Sequence, residues 1–393
     1  MGDALIIRDL RKSTGSCNEI SAEVDGDRVF FQTPLQYALS GRGEPFLGIA
    51  LLEAMIRNVD IKVEDSIPIS EMLCKKLPEI QAVYACWNPD LNRIKVHATT
   101  DRVQDAYPRV ASFFSAGVDA SHTLLRNMSE ITHLIMLSRF EAGRDSNTPE
   151  SWQQGLDKQI GFAQTIGKDL IPVDTNAKQW VNKRKIAWGF AQGLILSSMG
   201  PLLSAKRIYI ASSHTYNQLF PWGSHPLTDP MWSTESTEVI HDGAGFRRGD
   251  KMRDLCKNQT ILDNLKVCWR SNHYNCGDCE KCVRTMTALY LLGASSKGMP
   301  RLESLKKLKT LRASDESGFT FLEDAILLAE NAKNRKVQRI LRRYYAKYKM
   351  REALAILDRY MIGGIFHRLY QILGNPGHTN LRVTLRGLQH QDN

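Results

Sequence analysis

The sequence predicts an α/β fold: an open parallel sheet preceded by an α+β region, interrupted by a cysteine-rich, metal-binding insert and followed by a basic helical tail. Three observations carry that expectation. From about residue 107 to residue 210, apolar runs of strand length alternate with longer segments of helical period, the pattern of βαβ units and a parallel sheet. One of those runs passes through a turn of small residues straight into a helix. Further on, four cysteines crowd into the fifteen residues from Cys268 to Cys282.

Along the chain, residues 1–108 mix strand-like runs at 28–32 and 93–99 with a helical stretch at 45–58, and hold no motif. Strands are then expected at 110–114, 133–137, 170–173 and 207–211. Helices are expected at 149–166, with Asn147 or Thr148 as cap, and at 177–198. Beyond Met299 the composition turns polar and basic, with helical period at 319–331 and 337–348, a break at Gly363 and Gly364, and a loose end over 375–393. The expected domains are therefore 1–108, 109–299 and 300–393.

Composition places the 393-residue chain, 42% hydrophobic and 24% charged, in the ordinary globular class. No apolar run is long enough to span a bilayer, and the N-terminus lacks a secretory apolar stretch, so a cytoplasmic protein without a membrane partner is expected. The formal charge of +10 is concentrated at the end: from Arg301 onward there are eighteen Lys or Arg against nine Asp or Glu.

The sharpest feature is the run from Phe113 to Leu125, whose turn comprises Ser115, Ala116, Gly117, Val118, Asp119, Ala120 and Ser121. Small residues let backbone N–H groups approach an anion, the following helix adds the positive end of its dipole, and Ser115 and Ser121 add hydroxyls. Asp119 is suited to hold magnesium against phosphates. No Gly-Lys-Ser/Thr follows, so this is not the Walker A arrangement.

The loop resembles the Ser-Gly-Gly-x-Asp-Ser/Thr-Ser signature of PP-loop ATP pyrophosphatases, with Ser115, Gly117, Asp119 and Ser121 matching. That resemblance implies an adenine-nucleotide α-hydrolase sheet with ATP at the carboxyl ends of its strands, and the end of the second strand, Leu137 and Ser138 to Arg139, beside adenine. Ala116 stands where the family has its second Gly, a position that alanine fills less readily at positive φ, and Ala120 replaces a hydroxyl. A nonhydrolysing loop is the rival that these departures open.

Cys268, Cys276, Cys279 and Cys282, spaced C-x7-C-G-x-C-x-x-C, can close a tetrahedral zinc shell. A four-cysteine shell leaves no open position, so the zinc is expected to be structural; a three-cysteine iron–sulfur site is the alternative. A PP-loop followed by this cluster is similar to the 7-cyano-7-deazaguanine synthase family, over about residues 107–292. The resemblance implies an ATP-dependent ligase that adenylates a carbonyl and brings in a nitrogen nucleophile.

Between the two motifs, a polar, aromatic, turn-rich segment after the fourth strand offers His214, Trp222, His225, Asp229 and Glu235 as acceptor-binding and proton-handling candidates. Arg247, Arg248 and Lys251 are candidates to meet phosphates or the developing charge of an adenylate, with Asp119, Ser121 and Lys251 as the catalytic set. The acceptor is expected to be a small molecule or nucleobase, with tRNA or a protein as further classes. Two rival functions stay open: sulfur insertion through Cys256, Cys86, Cys74 or Cys17, and a noncatalytic nucleotide-sensing or RNA-binding module. The RNA reading rests on eight Lys or Arg with Tyr344, Tyr345 and Tyr348 interleaved over residues 333–349.

Overall fold

The computed structural model describes residues 4–102, 108–138, 149–268, 270, 274–311 and 316–361. The chain divides into two compact units, residues 1–245 and 246–393. The single division between them lies at 245/246, whereas the sequence pattern suggested limits at 108 and 299.

The first unit opens with an antiparallel meander, β1 (Leu5–Thr14), β2 (Asn18–Val24) and β3 (Asp27–Thr33). Asp25 and Gly26 turn β2 into β3 with φ of 51° and 80°, and positive φ at both turn residues matches the twist of the paired strands. Next come α1 (Glu44–Arg57), β4 (Ile61–Val63), β5 (Ile69–Ser70), α2 (Glu71–Trp87), β6 (Val96–His97) and β7 (Thr100–Asp101). The strand expected over 93–99 shrinks to two residues because side chains take its first N–H groups: Ile94 donates to Gln81 Oε1 and Lys95 to Asp60 Oδ1.

The alternating half follows as β8 (Arg109–Phe113), α3 (Val118–Arg126), β9 (His133–Leu137), α4 (Pro149–Thr165) and β10 (Asp169–Thr175). After these come α5 (Ala177–Lys183), α6 (Trp188–Ser198), β11 (Ala205–Ala211) and β12 (Glu238–Asp242). All four strands expected here are present. The single helix expected over 177–198 is broken: Lys185 has a φ of 59°, and the turn lets α6 pack on α1 as a separate element. Both helices are apolar nearly all round, so burying them against each other outweighs the helical propensity of the connecting residues.

One ten-stranded sheet collects these strands in the order β12-β11-β8-β9-β10-β3-β2-β1-β4-β6. It is mostly parallel, and β12 through β10 are parallel throughout. The N-terminal meander joins it edge to edge, β3 antiparallel to β10 with Gln32 opposite Asp174. Strands β1 to β3 therefore extend the parallel half of the sheet.

Close backbone approaches lock α6 into the first unit. A Cβ on Gly48 of α1 would stand 2.8 Å from Leu194 O, and one on Gly193 would strike the Gly223 carbonyl. Gly193→Ala is expected to cost about 3 kcal/mol, because the obstacle is backbone and cannot rotate away, with the loss read from the denaturant midpoint.

The second unit is helical: α7 (Arg248–Leu255), α8 (Gln259–Asp263), α9 (Glu280–Leu292), α10 (Glu316–Asn331) and α11 (Arg335–Met361). The last two extend the helices expected at 319–331 and 337–348. Asn334 starts α11 by accepting the Val337 N–H at 3.1 Å. Gly363, Gly364, residues 375–393, Asn147, Thr148 and Arg139 lie outside the described residues. Among those described, no helix is long and apolar enough to cross a membrane.

Candidate active site and metal centre

Strand order locates a topological switch point. From β8 the chain proceeds to β9 and β10 on one side, then returns to place β11 and β12 on the other. Open α/β sheets bind ligands outside the carboxyl ends of the strands where such a reversal occurs. Here the reversal lies between β8 and β11, which pair with Tyr209 opposite Ser112, so that the exits of the two strands lie side by side.

The exit of β8 is the small-residue loop. Ser115 is exposed and its Oγ accepts the Gly117 N–H at 3.4 Å; Gly117 is the N-cap of α3 and brings no side-chain cap of its own. Ala116 is fully buried at a φ of 56°, so the loop keeps the left-handed turn of a glycine with an alanine in place, at a cost on the order of 1 kcal/mol. Asp119, half-buried, lies in the first turn of α3. Val118 and Ala120 are buried, and Ser121 is only 1% exposed, which puts it beneath the loop and not on its open side.

One residue outside the expected site set, Asp242, holds this helix. Asp242, at the end of β12, accepts from Thr123 Oγ1 at 2.8 Å and from Arg126 at 3.2 Å. The rings of Phe114 and Phe162 stack 5.6 Å apart, laying α4 against the start of the loop. At the end of β9, Leu137 is half-buried, while Ser138 is buried and hydrogen-bonded to Asp174 of β10.

The segment after β11 is more knitted than an open acceptor loop. His214 is buried against the Phe220 ring at 4.6 Å and the Trp222 ring at 6.1 Å. Asp229 is buried and accepts from Ser224 Oγ at 2.7 Å, the His225 N–H at 3.1 Å and His241 Nδ1 at 2.8 Å. His225 Nδ1 accepts the Leu227 N–H, and burial, then the nearby His241, push this imidazole below its usual range. Of the five expected acceptor residues, Trp222 is half-exposed and Glu235 serves as a brace.

Glu235 accepts from Ser70 Oγ at 2.5 Å and from the Met72 N–H at 2.8 Å, capping α2 from a distant part of the chain. Burial works to raise its pKa, but the two hydrogen bonds and Arg42 hold it below the ordinary 4.5. The lowered value means that this carboxylate stabilises the fold fully above about pH 4.5, and that the contribution is lost as pH falls through the lower native value. Glu235→Gln is expected to cost about 1 kcal/mol at neutral pH, with the gap to the unsubstituted chain closing in acid, measured by denaturant melts across pH.

Arg247 and Lys251 belong to the second unit. Arg247 donates to Asp324 Oδ1 at 2.8 Å, and the Arg248 N–H donates to Asp324 Oδ2 at 3.2 Å, so Asp324 caps α7. Lys251 is only 2% exposed. Arg247 is thus paired with a carboxylate that sits at a helix start needing an acceptor.

The metal centre is compact. The Sγ atoms of Cys268, Cys276, Cys279 and Cys282 all lie within 4.8 Å of one another. Cys276 and Cys282 are 3.9 Å apart, Cys279 and Cys268 3.8 Å; a tetrahedral shell with zinc–sulfur bonds of about 2.3 Å separates its sulfurs by about 3.8 Å. Gly277, at a φ of 73°, turns the chain so that the N–H groups of Asp278 and Cys279 point to Cys276 Sγ at 3.4 and 3.3 Å. The Arg270 N–H donates to Cys268 Sγ at 3.3 Å.

Asn275 fixes the two arms: its Oδ1 accepts from the Val267 and Cys268 N–H groups, and its Nδ2 donates to Leu265 O and Gly298 O. Cys279 caps α9 and Cys282 sits in its first turn. The Cys282 thiol, hydrogen-bonded to Cys279, draws the latter down to about 4, with further help from Cys268 and Cys276. Four sulfurs at these separations, with N–H donors around them, fit a metal ion such as zinc. Comparisons with family models, with curated proteins and with solved structures found no match in any of the three.

Proposed function

We propose that the chain is a cytoplasmic, ATP-consuming ligase of the PP-loop type that adenylates a carboxylate or a lactam or amide carbonyl and passes it to a nitrogen nucleophile, with chemistry similar to that of the 7-cyano-7-deazaguanine synthases. The observation that carries this reading is the position of residues 115–121: a small-residue turn with left-handed Ala116, entering a helix at the carboxyl-end reversal of a parallel sheet.

In this reading the backbone of residues 115–118 and the N-terminal end of α3 receive the phosphates of ATP, and the exposed Ser115 hydroxyl adds a donor. Asp119 would hold magnesium, which would offset phosphate charge. An oxygen of the acceptor attacks the α-phosphorus, pyrophosphate leaves with its bonding electrons, and the nitrogen nucleophile then displaces AMP from the activated carbon. Ser121 supports the turn from below. The zinc cluster organises the second unit and takes no part in the reaction.

Two of the four candidate thiols for sulfur insertion are ill suited to it. Burial, with Glu44 and Glu235 nearby, pushes Cys74 up to about 11, and burial raises Cys256 as well, so both are poor thiolates near neutral pH. The test is turnover of α-labelled ATP by the zinc-loaded chain with pools of purines, small metabolites, tRNA and peptides as acceptors. AMP and pyrophosphate that depend on one pool identify the acceptor class. ATP binding without AMP in any pool defeats the ligase reading in favour of a nucleotide sensor.

A further inference from the structure

Helix α11 presents an outer face with an unusual composition. Residues Lys336, Arg339, Arg343, Lys347, Met350, Leu354 and Leu357 recur at intervals of three and four, so they fall on one line along the helix, and all are exposed. The opposite side is the packed one. Val337 and Leu341 are fully buried, Tyr345 meets Phe319 of α10 with ring centroids 5.8 Å apart, and its hydroxyl donates to Glu323 at 2.7 Å.

The exposed line changes character part way. Its first half is four cations, none of which has an ion-pair partner among the described residues; its second half is Met350, Leu354 and Leu357 at 61%, 58% and 56% exposure. A solvent-facing helix surface is ordinarily polar, so three successive apolar positions there mark a contact surface. The tyrosines interleaved with the cations are half-buried, and Tyr345 is turned onto α10, so they do not form a stacking platform on this face.

We propose that the outer face of α11 docks on an anionic lipid bilayer surface, the cationic half over headgroup phosphates and Met350, Leu354 and Leu357 entering the headgroup–acyl boundary. Both halves of the line are then satisfied at once by a partner whose surface is negative outside and apolar beneath. A nucleic acid complements only the cations. A second copy packed in parallel brings like charge against like, one packed antiparallel over the leucines leaves the cationic half without a partner, and the line is a convex crest, not a groove that receives a partner helix. A membrane partner was not expected from the sequence because no run is long enough to span; an interfacial helix needs no spanning run. This surface is independent of the ATP site proposed above.

The test is flotation of the full, zinc-loaded chain with vesicles of phosphatidylcholine alone and with vesicles containing about 30% phosphatidylglycerol, at low and high salt. The expected result is flotation with the anionic vesicles only, weakened by salt, and reduced roughly tenfold or more both by Arg339→Glu with Arg343→Glu and by Leu354→Asp with Leu357→Asp. All four positions are exposed, and an unchanged zinc content confirms that the variants are folded. Absence of anionic-vesicle flotation, or flotation indifferent to the Leu354 and Leu357 changes, overturns the proposal. So does light scattering that shows a dimer which the leucine variants split, or a filter assay in which tRNA binds through Arg339 and Arg343 while vesicles do not.

Discussion

Cys282→Ser is expected to remove the metal from the purified chain and to unfold the region around it. Cys282 is fully buried in the first turn of α9, and its Sγ lies 3.9 Å from that of Cys276, within bonding geometry of a shared ion. Four-cysteine zinc shells contribute on the order of 10 kcal/mol to small folds, more than the marginal stability of most domains. Losing one ligand also leaves three sulfurs crowded without a cation between them.

The measurement is zinc content by a colorimetric chelator, with thermal melting before and after chelation. The unsubstituted chain should carry one equivalent and lose its second-unit transition when stripped; Cys282→Ser should resemble the stripped protein from the outset. Cys256→Ser, at a half-buried thiol outside the cluster, serves as the control that leaves both properties intact. Full zinc occupancy in Cys282→Ser would remove that residue from the shell.

Asp119→Ala is expected to lower acceptor-dependent AMP formation by roughly two to three orders of magnitude, since it removes the carboxylate proposed to position the metal on the transferring phosphoryl group. Asp119 sits in the first turn of α3, where a carboxylate also favours the helix dipole by less than about 1 kcal/mol, so the variant should stay folded and keep its zinc. The discriminating comparison is with Ala116→Gly. That change restores the residue best suited to a φ of 56° while losing one buried methyl, and is expected to leave turnover within a few-fold. If both variants retain full activity, the loop is not the reacting site.

Much of this architecture was legible from residue order. The strands at 133–137 and 207–211 are apolar runs that any parallel sheet would bury, and the cysteine spacing alone implied a closed shell. The Asp25-Gly26 hairpin is legible too, since both residue types tolerate the positive φ that the turn requires. The acceptor segment was not. His214, His225, Asp229 and Glu235 look like proton-handling groups in one dimension, yet Asp229 binds His241 and Glu235 caps α2, partners 12 and 163 residues away in sequence.

The division follows from the range of the forces. Periodicity, turn residues and ligand spacing act over a few residues, so the sequence alone determined the βαβ alternation, the small-residue turn into α3 and the cysteine cluster. Whether a polar side chain reaches solvent or is consumed by a distant N–H depends on which elements fold against it. Only the tertiary structure decided that Ser121 is buried, that Arg247 is held by Asp324, that β1 to β3 extend the main sheet, and that α11 turns a half-cationic, half-apolar crest outward. Each of these outcomes is settled by burial and by the satisfaction of buried hydrogen-bonding groups, quantities that exist only once the chain has closed on itself.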